Sequence, residues 1–237
     1  MTTFALAPCS IADSPDLSRN NVSAFWEDPN WVLAWKHTNL ESHIANTAKR
    51  YPRVLISERT VSRHEKAIDP ETGRLVGYAR WILPYSHATT ADGSPVWPEA
   101  MIPEMSEQEE EEIRQVADAT PWDPDRKSDP LDIEIGRIKK EVMDRMRRPF
   151  MSLEYMAVHP DNQGKGIATL LVKSGMEQAR KLGLDIFILA FKPGFKLYAR
   201  LGFRVERELV QDDSAYGGPG EYVVRYMIYE QPRDPGW

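Results

Sequence analysis

The chain has 237 residues, a mass of 27.1 kDa, 41% hydrophobic residues and a formal charge of −6 at pH 7. That size suits a single domain over 1–237 with a sizeable core, and the acidic balance argues against a nucleic-acid partner, which calls for a basic face. No apolar run nears the roughly 20 residues of a membrane span, the first eight residues lack the basic and apolar regions of a signal peptide, and a single cysteine, Cys9, excludes an internal disulfide and points to the reducing cytoplasm.

Residues 3–8 are expected to form a short first strand, with Cys9 as a small packing residue, since no motif around it makes a nucleophile. Asp13 or Ser14 reads as the N-cap of a helix over 13–26, with Pro15 in its first turn and Leu17, Val22, Phe25 and Trp26 as its apolar side. A second helix is expected over 31–50, where Leu33, Leu40, Ile44 and Ala48 recur at helical spacing. Trp26, Trp31 and Trp35 read as packing residues. The β-rich runs 53–61 and 75–83 flank Asp69-Pro-Glu-Thr-Gly73, a run of turn formers, and together predict an antiparallel hairpin. Pro84 ends it.

Residues 84–149 read as a polar, proline-containing insertion. The glutamate run at 107–112 is either a solvated helix face or an acidic lip that draws amines to a cleft. A helix is expected over 131–148, with Ile135, Ile138, Val142 and Met146 in register and its basic residues gathered toward the C-terminus.

The run 150–158 is apolar and aromatic, as a buried strand should be, and His159-Pro160-Asp161-Asn162 breaks it. From Gly164 onward Ile167, Leu170, Leu171, Gly175, Ala179 and Leu182 form the buried stripe of a helix that Gly183 stops. Gly164 and Gly166 have no Cβ. Either they only permit a tight strand-to-helix turn, or they let the free N–H groups of the helix start approach a phosphate. A P-loop is excluded, because Gly-x-x-x-x-Gly-Lys-Ser/Thr is missing. The continuous apolar run 185–191 reads as a strand buried on both faces, completing a βαβ crossover. A short helix over 192–200, a strand from Phe203, a loop over 214–220, a last strand over 221–229 and a tail over 231–237 follow.

Gln163-x-x-Gly166-x-Ala168 matches Gln/Arg-x-x-Gly-x-Gly/Ala, the acyl-CoA signature of the GCN5-related N-acetyltransferases (GNAT). Ala157-Val158-His159-Pro160 resembles that family's strand ending, and Leu197-Tyr198-x-x-x-Gly202-Phe203 resembles its Leu-Tyr-x-x-x-Gly-Phe segment. The likeness is strong over 150–205 and loose over 70–85, and the long insertion resembles that of fungal-type members. One departure stands out: Phe191 occupies the place where the family often has Asn, which puts a cofactor contact there in question.

The resemblance implies an α/β GNAT fold, a mixed sheet of about seven strands flanked by helices around the βαβ core. It implies acetyl-CoA as co-substrate and no metal. Met156, Ala157 and Val158 would hold the pantetheine arm, and Gln163, Gly164, Lys165, Gly166, Ile167, Ala168 and Thr169 the pyrophosphate. Tyr198 would protonate or position the CoA sulfur, with core packing on Phe203 as its alternative. Glu154 is the candidate base. Strand alternation places it on the face of Met156 and Val158, where half-burial would help it take a proton; a structural glutamate or a water relay are the alternatives, and His159 reads as a turn residue. The expected activity is direct attack by a primary amine of a small molecule or amino acid on the thioester. A protein N-terminal or lysine acetyltransferase and a non-catalytic acyl-CoA sensor remain open. Monomer and homodimer are both compatible, and no membrane partner is expected.

Overall fold

A computed structural model describes residues 4–232. Its frame is a seven-stranded sheet in the order β1-β2-β3-β4-β5-β7-β6. The strands are β1 (Ala5–Pro8), β2 (Ser62–Ile68), β3 (Leu75–Ile82), β4 (Phe150–Val158), β5 (Asp185–Ala190), β6 (Arg204–Asp212) and β7 (Glu221–Tyr229). β4 and β5 are the one parallel pair, and every other neighbouring pair is antiparallel.

Helices cover both faces. On one, α5 (Ile167–Leu182) and α6 (Lys192–Arg200) close over Trp81, Met151, Leu153, Leu171, Ile186 and Tyr198. α5 comes close because Gly175 has no side chain; a Cβ there would collide with the Trp81 ring. On the other face α1 (Ser14–Phe25) and α2 (Leu40–Ile56) cover β2 to β4 through Leu17, Tyr51, Leu55 and Tyr78. Beside them α4 (Asp129–Arg145) covers β5 to β7 through Ile138, Val142, Phe187 and Tyr226.

Two expectations are corrected. The helix expected over 31–50 is split into a 3-10 turn, Trp31–Trp35, and α2, whose N-cap Asn39 accepts from the Ser42 amide at 2.9 Å. α2 then runs on through residues 53–56, so the run taken for a strand is helix and turn, and the hairpin's first strand is β2 instead. The reason is tertiary. Ile44, Thr47, Tyr51 and Leu55 share a buried stripe, and burying it outweighs the roughly 1 kcal/mol span of β propensity. β2 hides from pattern reading because Ser62, Arg63, His64 and Glu65 are all buried, polar as they are.

The acidic run lies on α3 (Glu107–Ala119), which docks on α2 through Arg53–Asp118 (2.5 Å) and on the turn after α2 through Arg59–Glu110 (2.7 Å). It is the outer, solvated face of a second layer, and the part of the insertion that flanks the central strands is α4. Residue 3 of the expected first strand and residues 233–237 of the expected tail lie outside the described residues.

Candidate active site

β4 and β5 pair only from Phe150↔Asp185 to Leu153↔Ile188. On its other side β4 carries a bulge: Leu153 pairs with Trp81 and Tyr155 with Arg80, which leaves Glu154 without a partner. A bulge bends its strand and raises the local twist. β4 therefore swings away from β5, which goes on pairing with β7 through Leu189 and Ala190. The His159 amide donates to the Val76 carbonyl at 3.2 Å. By ladder alternation, the peptide groups of Met156 and Val158 then point away from β3, into the parted side. Ala157 keeps its peptide on the β3 side.

The bulge also overturns the expectation for Glu154. Met151 and Leu153, then Met156 and Val158, all pack into the α5-side core, so the side-chain parity changes between 153 and 156. Glu154 is not on the face of Met156 and Val158. It turns toward α4, where Lys139 Nζ donates to both its carboxylate oxygens at 2.8 and 2.7 Å. Strand alternation does not survive an extra residue.

At the C-terminal end of β4 the chain makes the turn into α5. Gly164 and Gly166 have φ of +75° and +86°, a region that side chains with a Cβ resist. A Cβ at either would meet nothing within 4 Å, so the space before the turn is open. Among the described residues, no acceptor takes the amides of residues 164 to 169, and Leu170 is the first to bond back, to Gly166 at 3.0 Å. These N–H groups stand at the positive end of α5. Lys165 Nζ donates to Asn162 Oδ1 at 2.9 Å and Gln163 Nε2 to the Val158 carbonyl at 3.4 Å, which ties both side chains to the turn.

Tyr198 on α6 is 5% exposed. Its ring meets Phe203 edge-on with centroids 5.8 Å apart, and burial pushes its phenol well above the ordinary value. The ring has room because residue 194 is glycine; a Cβ there would lie 2.7 Å from Tyr198 Cε2. Among the described residues the Tyr198 hydroxyl has no hydrogen-bond partner. Phe191 caps α6 and packs with the α4-side cluster. His159 is a turn residue, its Nδ1 accepting from the Asp161 amide at 3.4 Å.

Sequence reasoning missed two residues of this region. Asn20, buried on α1, accepts from the His159 amide at 3.0 Å and donates to the Ala157 carbonyl at 3.4 Å, pinning the end of β4. Lys139 is the other. Neither carries a sequence signal, since each acts across a long separation in the chain. The tryptophans do pack, as expected: Trp26, Trp31, Trp35 and Trp122 surround His43, whose pKa burial pushes down to about 4. Cys9 is buried too, and its thiol is pushed up by that burial. Among the described residues no three His, Cys, Asp or Glu side chains form a group able to hold a metal, and no helix is long and apolar enough to cross a membrane.

A mixed sheet whose single parallel pair parts after a bulge, beside an open helix N-terminus, is the GNAT acetyltransferase fold. Residues 132–205 match the family model described as an acetyltransferase (GNAT) domain. Solved structures that share the fold include the following three. A Corynebacterium glutamicum structure described as histone acetyltransferase HPA2 and related acetyltransferase is 17% identical with a TM-score of 0.60, covering 98% of this chain and 99% of that one. The C-terminal condensation domain of Ebony, in complex with β-alanyl-dopamine, is 13% identical with a TM-score of 0.58, covering 96% and 100%. A Drosophila melanogaster polyamine N-acetyltransferase that forms N-acetylagmatine is 16% identical with a TM-score of 0.55, covering 97% and 100%. At these identities the likeness is one of fold.

Proposed function

We propose that this protein is an acetyl-CoA-dependent N-acetyltransferase that transfers the acetyl group to a primary amine of a small molecule or amino acid, by direct attack in a ternary complex. The observation that carries the reading is the parted β4–β5 edge leading to the unpartnered amides of residues 164 to 169. An extended acyl chain on that edge would bond to the peptide groups of Met156 and Val158 as an added strand does. Its pyrophosphate would meet the amides from Gly164 to Thr169, with the charge of Lys165 alongside. Bound acetyl-CoA supplies the thioester, and the chain's own residues orient it, take protons and give them.

An alkylammonium, with a pKa near ~10, must lose its proton before it attacks. In this reading Glu154, at the bulge and held by Lys139, takes that proton, directly or through water. The Met156 N–H faces the parted side, where negative charge develops on the thioester oxygen. Tyr198, kept protonated by burial, hands its proton to the departing thiolate. A polyamine-acetylating neighbour of the same fold supports an amine acceptor. The same reading places the protein in the cytoplasm, as a monomer or homodimer, with the fungal-type insertion supplying one wall of the acceptor site.

The test is calorimetric titration with acetyl-CoA of the parent and of Gly166→Trp, followed by assays of CoA release across a panel of primary amines. Saturable binding, weakened at least about 100-fold (~2.7 kcal/mol) in the variant, and amine-dependent CoA release are expected. A parent that binds no acetyl-CoA overturns the reading. Binding without turnover of any amine makes the protein a sensor.

A further inference from the structure

Among the described residues, the Arg80 side chain has no partner. Every other buried or half-buried arginine has one among the described residues. Arg50 donates to the carbonyls of Ala117 and Thr120, Arg63 to that of Val96, and Arg53, Arg59, Arg148 and Arg225 each meet a carboxylate. Arg80 is half-buried and makes no ion pair and no side-chain hydrogen bond, and its Nε is buried without an acceptor. A guanidinium stays charged at any physiological pH. Leaving that charge partly desolvated and unpaired is costly, so a group without a protein partner invites an anion from outside.

Its place in the sheet says which anion. Ala79 and Trp81 pack into the α5-side core, so the Arg80 side chain emerges on the opposite face, under α1 and α2. It is therefore on the wrong side to serve the pyrophosphate turn. In register it is paired with Tyr155, the residue directly after the Glu154 bulge. Partners across such a ladder have Cα atoms about 5 Å apart, so the root of Arg80 is one strand from the point where the amine is to attack.

Four buried side chains that feel its charge, Tyr51 of α2, His64 of β2, Tyr78 of β3 and Tyr155 of β4, are neutral, and the nearby carboxylate of Glu154 is held by Lys139. Tyr51, Tyr78 and Tyr155 have phenols pushed up by burial, and the His64 imidazole is pushed down to about 3, first by burial and then by Arg80. These side chains supply donors instead. His64 is 1% exposed, its Nδ1 lies 2.8 Å from the Tyr78 hydroxyl, and its Nε2 has no partner. With Tyr78 donating to Nδ1, the ring proton sits on Nε2. The Tyr155 hydroxyl has no partner among the described residues either. A fork of guanidinium N–H groups is the arrangement that takes a carboxylate in two parallel hydrogen bonds.

We propose that Arg80 is the carboxylate-binding residue of the acceptor site, and that the acceptor is an amino acid or another amine carrying a carboxylate near its amino group. The proposal rests on the acetyltransferase reading for the word acceptor, while the anion site itself does not depend on it.

The experiment is a calorimetric titration of the parent, Arg80→Met and Arg80→Lys. The probes are the common L-amino acids and β-alanine, each against its amine lacking the carboxylate, such as phenylalanine against phenethylamine. Acetyl-CoA is titrated separately on all three proteins. The parent is expected to bind at least one carboxylated probe tenfold or more tightly than its matched amine. Arg80→Met is expected to erase that preference, Arg80→Lys to keep part of it, and acetyl-CoA affinity to stay the same in all three. A parent that binds no carboxylated probe, or prefers the matched amine, overturns the proposal, as does a preference unchanged in Arg80→Met. If Arg80→Met does not fold, the parent's preference and its reduction in Arg80→Lys decide. Loss of acetyl-CoA binding in the parent, with the carboxylate preference intact, removes the acetyltransferase reading and leaves the anion site standing.

Discussion

On the α5 side of β4 the candidate site is made of backbone: free amides at residues 164 to 169, peptide groups of Met156 and Val158, and two glycines at positive φ. On the side of α1, α2 and α4 it is made of side chains drawn from distant segments: Asn20, Arg80, Lys139 and Glu154. The first half spans one continuous stretch of chain and presents features that any acyl-CoA would need. The second is assembled by tertiary packing, and in the proposed function it is the side that handles the acceptor amine. Changes on the α5 side should therefore weaken acetyl-CoA binding or the release of CoA, and changes on the other side should leave acetyl-CoA binding intact while altering how acceptors bind and lose their proton.

The largest effect after the block at Gly166 is expected at Tyr198. Tyr198→Phe removes the acid but keeps the ring against Phe203, so kcat should fall about 100-fold with acetyl-CoA affinity unchanged. Because burial raises this phenol above its ordinary value, the group stays protonated through neutral pH. The loss should then be the same factor from pH 6 to 9. A pH-rate profile showing the defect only at one end would remove Tyr198 from the acid role.

Glu65 on β2 gives the α5 side a pH signature. Its carboxyl is 8% exposed, accepts from Ser174 of α5 at 2.8 Å, and has its pKa raised by burial from 4.5 to about 7. A carboxyl with a raised folded value binds its proton more tightly when folded. Its contribution is fully present below pH 4.5 and is lost as pH climbs through about 7. Denaturant unfolding should show stability falling across that window by on the order of 2 kcal/mol. Glu65→Gln should flatten the fall and be the more stable protein at pH 8. An equally steep fall in the variant would assign the titration to another group.

The smallest effect sharpens the acceptor side. Lys139 and Glu154 are each about three-quarters buried, at side-chain exposures of 28% and 25%. Lys139→Met should cost no more than about 1 kcal/mol of stability and leave acetyl-CoA titrations untouched. It should shift KM for the acceptor several-fold, because Glu154 loses the group that holds it. A change in acetyl-CoA affinity instead would show that the two sides of β4 are not separable.

How much of this was readable beforehand follows the same divide. The ends of β4, the α5 stripe and its stop at Gly183, the β5 run and α6 all fall where local pattern puts them. The hairpin's first strand did not, because Val54, Leu55 and Ile56 look like β-formers until Tyr51 and Leu55 are seen to bury with Ile44 against the sheet. The face of Glu154 departs from strand alternation for a different reason. Alternation is a two-residue rule, and whether a strand carries an extra residue is set by its neighbours.

The amino-acid sequence alone determined the half of the protein whose chemistry is conformational. Glycines at 164 and 166, a proline after the strand and an apolar period of 3.6 favour a turn and an open helix start through local sterics. Tertiary structure alone decided the rest. Only the packed sheet shows that β4 bulges at Glu154, that α4 brings Lys139 to it, and that the Arg80 side chain makes no ion pair among the described residues. Those facts are contacts between residues far apart in sequence, and contacts of that kind leave no periodicity to read.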